Sequence, residues 1–247
     1  MENQKAKISI ITPTTGKSGL WKLLESVENQ TVPFAHILLW DWKREGDFLY
    51  PNNQTMKAMI PKDTDLNVTQ QEGIHGGSYR YSVIVPGSFI QGRAYGSALR
   101  AVGLMLAQTP YVTFADDDCW YEKNHLENLL QAVQNKQWAY CKRKVWKNTE
   151  KGLEYIGIDN FESVGDSPSR KVSYEMVDNN CMIFSRRFGT SGAVLYRETE
   201  DYNDDRLFYA FLKQHAGQPG KTEMATVNQV CPRRLEKMFD ELCEREP

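Results

Sequence analysis

The chain has 247 residues, of which 40% are hydrophobic and 25% are charged, and its formal net charge is −2. This length suits one α/β domain with a sizeable core, and we expect a single domain over residues 1–247. The near-neutral charge gives no general attraction to nucleic acid, so we expect no nucleic-acid partner. Five cysteines without CxxC spacing argue against a disulfide framework and a structural zinc site, and they favour a reducing cytoplasm.

The first elements alternate between strand and helix. Residues 7–12, Lys-Ile-Ser-Ile-Ile-Thr before Pro13, predict a strand, and apolar residues repeat at helical spacing over 20–27. A second apolar run covers 35–40 and ends at Asp41. This order predicts a β-α-β unit with a parallel pair of strands.

The middle of the chain interrupts and then restores this pattern. Residues 41–92 are rich in Pro, Gly, Asn and Asp, and only 82–85 resembles a strand. A helical stripe over 95–106 then leads into a predicted strand at 111–115.

The second half continues the alternation. No apolar run is long enough for a membrane span, so we expect a cytoplasmic protein, free or peripheral at a membrane. Residues 152–170 are polar, and we expect turns there. The other predicted elements are helices at 126–133, 207–212 and 233–245 and strands at 138–146 and 181–185.

Three consecutive acids, Asp116, Asp117 and Asp118, follow the strand at 111–115. Adjacent carboxylates repel one another, and a divalent cation or a hydrogen-bond network offsets that repulsion beside a buried strand. Ligands of open α/β sheets bind beyond the carboxyl ends of the strands, so Asp41 and the three acids are expected to share one crevice. A carboxylate at the end of the second strand can accept hydrogen bonds from a nucleobase or a ribose hydroxyl, and the acids after the strand at 111–115 can hold a metal that binds a diphosphate. This arrangement would suit a nucleotide sugar.

The chain resembles the inverting family 2 glycosyltransferases of GT-A fold. The matching segments are, in chain order, 8–14, 26–31, 92–103, 114–120 and the pair Asp204-Asp205. The resemblance implies an α/β, Rossmann-like fold with a mixed, mainly parallel sheet flanked by helices.

The resemblance also divides the domain into two halves. Residues 1–120 would bind the nucleotide sugar, and residues 121–247 would hold the acceptor and the catalytic base and end in a helix. The partners implied are a nucleotide-sugar donor and a glycan or lipid-linked acceptor.

The resemblance assigns roles to individual residues. Asp116 and Asp118 would be the DxD pair that binds Mn²⁺ or Mg²⁺, with Asp117 as the spacer between them. Asp41 would read the nucleobase, and Arg100 would bond the donor or support the acids. The full donor-binding set that it implies is Thr12, Pro13, Thr14, Asp41, Arg100, Asp116 and Asp117.

The catalytic base would be Asp205 or, as the alternative, Asp204. Asn179 and Asn180 occupy the stretch that approaches the acceptor and the donor sugar, and His215 is a further candidate for the metal shell. The implied activity is metal-dependent, inverting transfer of a hexosyl or N-acetylhexosaminyl group from a UDP-sugar to a hydroxyl, in polysaccharide biosynthesis.

Two departures from the family pattern keep alternatives open. Ala101 stands where the family commonly has Asn, and Cys119 replaces a frequent third acid. A nucleotidyltransferase also pairs acids with a metal, and a non-catalytic glycan- or nucleotide-binding module could keep the fold without turnover. The sequence names neither the sugar, the acceptor nor the oligomeric state.

Overall fold

The computed structural model describes residues 5–16, 18–42, 68–72, 77–86, 96–159, 176–196, 204–233 and 236–243. The strands are β1 Ile8–Thr14, β2 Phe34–Trp42, β3 Val68–Glu72, β4 Tyr79–Pro86, β5 Tyr111–Phe114, β6 Cys119–Tyr121, β7 Trp138–Thr149, β8 Gly152–Ile158, β9 Met182–Ser185 and β10 Gly220–Val230. The helices are α1 Leu20–Glu28, α2 Ser97–Leu106, α3 His125–Ala132, α4 Arg186–Gly192, α5 Asp204–His215 and α6 Glu236–Leu242. Two short 3-10 turns lie at Asn179–Cys181 and Ala193–Leu195.

The described strands form one mixed sheet. Its order is β3-β4-β2-β1-β5-β9-β7-β10-β6, with β8 paired to β7. Strand β1 pairs in parallel with β2 and with β5, β2 with β4, and β7 with β10, while the remaining pairings are antiparallel. The expected α/β class with a mixed sheet flanked by helices is confirmed. Among the described strands, however, four pairings are parallel and five are antiparallel, so the sheet is mixed rather than mainly parallel, and the parallel pairs lie mainly in its first half.

Strand β1 is buried along its whole length. Helix α2 approaches one face closely, because a Cβ on Gly103 would lie 2.4 Å from Cγ2 of Ile11. Helix α1 buries an apolar stripe in the same core. Ser9 and Thr12 are polar but buried in this strand, because their hydroxyls form hydrogen bonds with Thr109 and His36.

Three parallel strands end at one edge of the sheet. Thr14 at the end of β1 lies in register with Trp40, one residue before Asp41. Ala115 donates its backbone N–H to Ile11 at 2.9 Å, so the acids that follow it leave the sheet at the same edge. The topology therefore brings together the three strand ends that the sequence predicted to share a crevice.

Some elements differ from the sequence predictions. Residues 152–158 form a strand rather than turns, because Gly152 adopts a φ of +112° and returns the chain antiparallel along β7. Strand β10 was not predicted, since its residues are mostly polar and it is held by pairing with β7 and β6 on either side. No helix among the described residues is long and apolar enough to cross a membrane.

Candidate active site

The acidic segment between β5 and β6 contains one buried acid, Asp117, and one exposed acid, Asp118. Asp117 is buried, and its Oδ2 accepts the hydroxyl proton of Thr14 at 2.7 Å. The same Thr14 oxygen accepts the backbone N–H of Gly16 at 2.9 Å. Asp117 therefore points back to the end of β1, whereas Asp118 is exposed to solvent.

Helix α1 begins against this segment. A Cβ on Gly19 would lie 2.7 Å from the carbonyl oxygen of Asp117 and 3.2 Å from Cα of Asp118. Contacts under 3 Å with backbone atoms are not accommodated without displacement. Glycine at position 19 thus lets the start of α1 lie directly on the acids.

Asp116 is held by two elements at once. Its Oδ1 accepts a hydrogen bond from NH2 of Arg100 on α2. Its Oδ2 accepts Nδ2 of Asn180 at 3.0 Å, and its backbone N–H donates to Oδ1 of the same asparagine. Each carboxylate oxygen keeps further lone pairs, and 29% of the side chain remains exposed, so Asp116 is fixed without being closed off.

Arg100 joins Asp116 to the start of α5. Its NH1 lies 3.8 Å from Oδ2 of Asp204, which also accepts the hydroxyl proton of Ser97. Burial by itself lowers the pKa of Arg100, but the carboxylates of Asp116 and Asp204 outweigh it and raise that pKa overall. This buried cation therefore links the predicted donor acids to the predicted catalytic acids.

Asp205 has the titration behaviour expected of a general base. Burial, together with the neighbouring carboxylates of Asp204 and Asp178, raises its pKa to about 7. The backbone N–H of Arg206 donates to its Oδ1 at 2.7 Å. A base works best when its pKa is near the working pH, which an ordinary aspartate does not meet.

The two asparagines differ in their contacts. Asn179 accepts the hydroxyl proton of Tyr196 at 2.9 Å, whereas Asn180 bridges Asp116 and Asp178. Sequence reasoning missed Asp178 and Ser97. Asp178 could have been noticed as the acid that caps the turn at Asn179–Cys181, since its side chain accepts the backbone N–H of Asn180.

The residues at the end of β1 pack beneath the protein surface, next to the acidic segment. Thr12 is fully buried, and its hydroxyl lies 3.0 Å from Nε2 of His36. Pro13 packs against Gly96, where a Cβ would come within 2.7 Å of the proline ring. Their assignment with Thr14 to the base pocket stays a prediction, and the side chain of Asp41 lies outside the described part of the structure.

The structure separates His215 from the acids. It lies at the last residue of α5, ten residues after Asp205, which corresponds to about 15 Å along a helix. Its ring contacts Phe211, with 5.0 Å between ring centroids. Among the described residues, His215 belongs to no group of three side chains that could hold a metal ion, and its place in a metal shell stays a prediction.

The carboxylates suit a metal that a substrate helps to hold. Within the described ranges, no group of three His, Cys, Asp or Glu side chains is arranged to hold a metal ion. Mg²⁺ is commonly bound by one or two carboxylates together with substrate phosphates, and Asp118 with Asp116 offers such a pair. The residues fit a cation shared with a diphosphate.

A separate groove of about 980 Å³ opens at the opposite edge of the sheet. Its lining includes Lys5, Lys7, Tyr79 and Tyr111 and a single acid, Glu127. The described part of its lining does not contain clustered carboxylates, so the acidic segment stays the candidate site.

Comparison with models of protein families supports the resemblance noted in the sequence. Residues 90–195 match the model of glycosyl transferase family 2. These residues are therefore similar to a segment of that family. The matched segment contains Arg100, the three acids and both asparagines, while Asp204 and Asp205 follow its end. A search of curated protein sequences gives no match.

Solved structures extend the similarity to most of the chain. Residues 1–349 of S. aureus TarS share 16% identity with a TM-score of 0.59, covering 91% of this chain and 60% of that one. The same TarS fragment solved with UDP-GlcNAc shares 16% identity with a TM-score of 0.59, and the alignment covers 92% of this chain and 59% of that one. The fragment solved with UDP shares 14% identity with a TM-score of 0.57, and the alignment covers 94% of this chain and 63% of that one. This chain thus spans about three fifths of the TarS fragment, and the similarity establishes a shared GT-A-like fold.

Proposed function

We propose that this protein is an inverting glycosyltransferase that moves a sugar from a nucleoside-diphosphate donor to a hydroxyl of a glycan or lipid-linked acceptor. The observation that carries the proposal is Asp205, a carboxylate with a pKa of about 7, connected through Asp204 and Arg100 to the acidic segment. Such a pairing supplies a base and a donor site on one sheet edge.

The proposed donor is a UDP-sugar, and the cofactor is Mn²⁺ or Mg²⁺. TarS, which shares the fold, has been solved with UDP-GlcNAc and with UDP, so UDP-GlcNAc is the first donor to test. A hexosyl donor is the second. The reaction would serve polysaccharide assembly in the cytoplasm.

The residues divide the work of one displacement. Asp205 accepts the proton of the acceptor hydroxyl. At the same time the hydroxyl oxygen of the acceptor bonds to the anomeric carbon, and the bond from that carbon to the diphosphate oxygen breaks. A divalent cation bound by Asp118 and Asp116 would neutralise charge on the departing nucleoside diphosphate. Arg100 and Asn180 keep Asp116 oriented toward the donor.

The test is release of nucleoside diphosphate from a panel of nucleotide sugars with and without Mn²⁺. We expect one donor to be turned over with metal, and Asp118→Ala to reduce that rate by at least about 100-fold because it removes the exposed carboxylate. Glu154→Gln, on the distant strand β8, is the matched control and keeps full activity. Proton NMR of the product distinguishes inversion from retention at the anomeric carbon.

Two outcomes would contradict the proposal. Release of pyrophosphate from a nucleoside triphosphate would instead identify a nucleotidyltransferase. Binding of a nucleotide sugar without turnover would identify a non-catalytic module, and a thermal-shift assay measures that binding directly.

A further inference from the structure

Asp178 is a partly buried acid, with 15% of its side chain exposed, that none of the predicted roles includes. Its Oδ1 accepts the backbone N–H of Asn180 at 2.9 Å and the side-chain Nδ2 of the same residue at 2.7 Å. Its Oδ2 accepts NH1 of Arg143 at 2.5 Å. One carboxylate thus holds both the backbone and the side chain of Asn180 while a cation holds the carboxylate.

Arg143 gives Asp178 a rigid support. Only 1% of its side chain is exposed, and its Nε donates at 2.7 Å to Asp159, which is fully buried at the end of β8. NH1 also donates to Oε1 of Gln229 on β10. The guanidinium therefore ties Asp178 to three neighbouring strands of the sheet, counting β7 itself, and its planar fork fixes direction as well as charge.

Asp178 determines which way the amide of Asn180 faces. Nδ2 of Asn180 donates both to Asp178 and to Oδ2 of Asp116, while Oδ1 accepts the backbone N–H of Asp116. Turning the amide over would place its oxygen against two carboxylates and its NH₂ against an N–H donor. The contact with Asp178 therefore favours the one orientation that holds Asp116.

We propose that Asp178, supported by Arg143, is a positioning residue that acts through Asn180 to hold Asp116 for the nucleotide-sugar donor. This inference rests on the proposed function. Asp178 itself does not contact the donor. It holds Asn180, which in turn fixes the geometry of Asp116, the residue that faces the donor. Partners of this kind change affinity or activity by about 10–100-fold when they are replaced.

The first test is Asp178→Asn. An amide at this position must direct its NH₂ either at the N–H groups of Asn180 or at Arg143, so one of the two contacts is lost. We expect the KM for the donor to rise about tenfold or more, with the KM for the acceptor unchanged. A folding defect would only reduce the concentration of active enzyme, which lowers kcat and leaves the donor KM as it was.

Glu122→Gln is the matched control. Glu122 also accepts hydrogen bonds from an asparagine amide, Nδ2 of Asn228 at 3.2 Å, and from a cation, Nζ of Lys144 at 3.1 Å, but its partners lie on β10 and β7 and do not include Asn180. We expect this variant to keep the donor KM. Arg143→Lys is the second variant, since lysine keeps the charge but not the fork that spans Asp159 and Asp178.

The decisive measurement is a double-mutant cycle with Asn180→Ala. If Asp178 acts through Asn180, the double variant has the same donor KM as Asn180→Ala alone. Additive losses, or an unchanged donor KM in folded Asp178→Asn and Arg143→Lys, would overturn this inference alone. A wild type that releases no nucleoside diphosphate from any nucleotide sugar would overturn the proposed function, and this inference with it.

Discussion

Replacing Asp205 by Asn should make the protein more stable and inactive at the same time. The substitution keeps the size of the side chain and an oxygen that can accept the backbone N–H of Arg206. It removes a negative charge that burial and the neighbours Asp204 and Asp178 make unfavourable. A residue retained at a cost in stability is a mark of a functional site.

The size of this effect follows from the pKa of Asp205. A rise from the ordinary value near 3.8 to about 7 corresponds to about 4 kcal/mol between the protonated and ionised forms. The folded state binds the proton more tightly, so stability falls as pH rises between about 4 and 7. Asp205→Asn should therefore stabilise the fold by up to about 4 kcal/mol at pH 8 and by little near pH 4.

Urea unfolding at several pH values measures this difference, and the rate of donor turnover supplies the second readout. With a base of pKa about 7, the wild-type turnover rate rises about tenfold between pH 6 and pH 8. The turnover rate of Asp205→Asn should be lower by about 100-fold or more and should not show this rise with pH. Asp204→Asn is the control, since it weakens the contacts to Ser97 and Arg100 and should lower stability. Equal stability of wild type and Asp205→Asn across pH 4–8 would refute the reasoning.

Three further substitutions test how the acids are held. Arg100→Met should destabilise the fold by about 3–5 kcal/mol, because it leaves the carboxylate of Asp116 without its buried cation, and chemical denaturation measures the loss. Gly19→Ala should cost about 1–3 kcal/mol and weaken donor binding in calorimetry, since its Cβ meets the carbonyl oxygen of Asp117 at 2.7 Å; unchanged binding would contradict the packing described. Thr14→Val should cost about 1–3 kcal/mol in thermal unfolding, because a buried carboxylate loses a hydroxyl donor.

The sequence predicted the elements whose side chains repeat with a clear period. Strand β5 and helix α2 were predicted because their apolar residues face one core. Strand β10 has no such signal, since Lys221, Glu223 and Met224 are exposed and the strand is held by its neighbours. Pairing of that kind depends on distant parts of the chain, which a local pattern does not report.

The candidate site was predictable as a set of strand ends but not as a network. Parallel strands place Asp116 near the end of β1 whatever the details of the side chains. That Asp117 turns back to Thr14, or that Asp178 holds Asn180, depends on single hydrogen bonds between residues far apart in sequence. The role of His215 stays a prediction, since the residue lies at the other end of α5 from Asp204 and Asp205.

Burial first, and then the local distribution of charge, raise the pKa of Asp205 to about 7. In the described part of the site, Arg100 pairs with Asp116 and Asp204, and Arg143 pairs with Asp178 and Asp159. Each of these two guanidinium groups is thus already shared by two carboxylates, and Asp205 adds one more negative charge beside Asp204 and Asp178, which Arg206 offsets only in part. A proton is the least costly way to relieve that excess, so the surplus acid is the one prepared to exchange a proton near pH 7. The net charge of −2 averages this local excess over the whole chain, which is why composition alone does not show it.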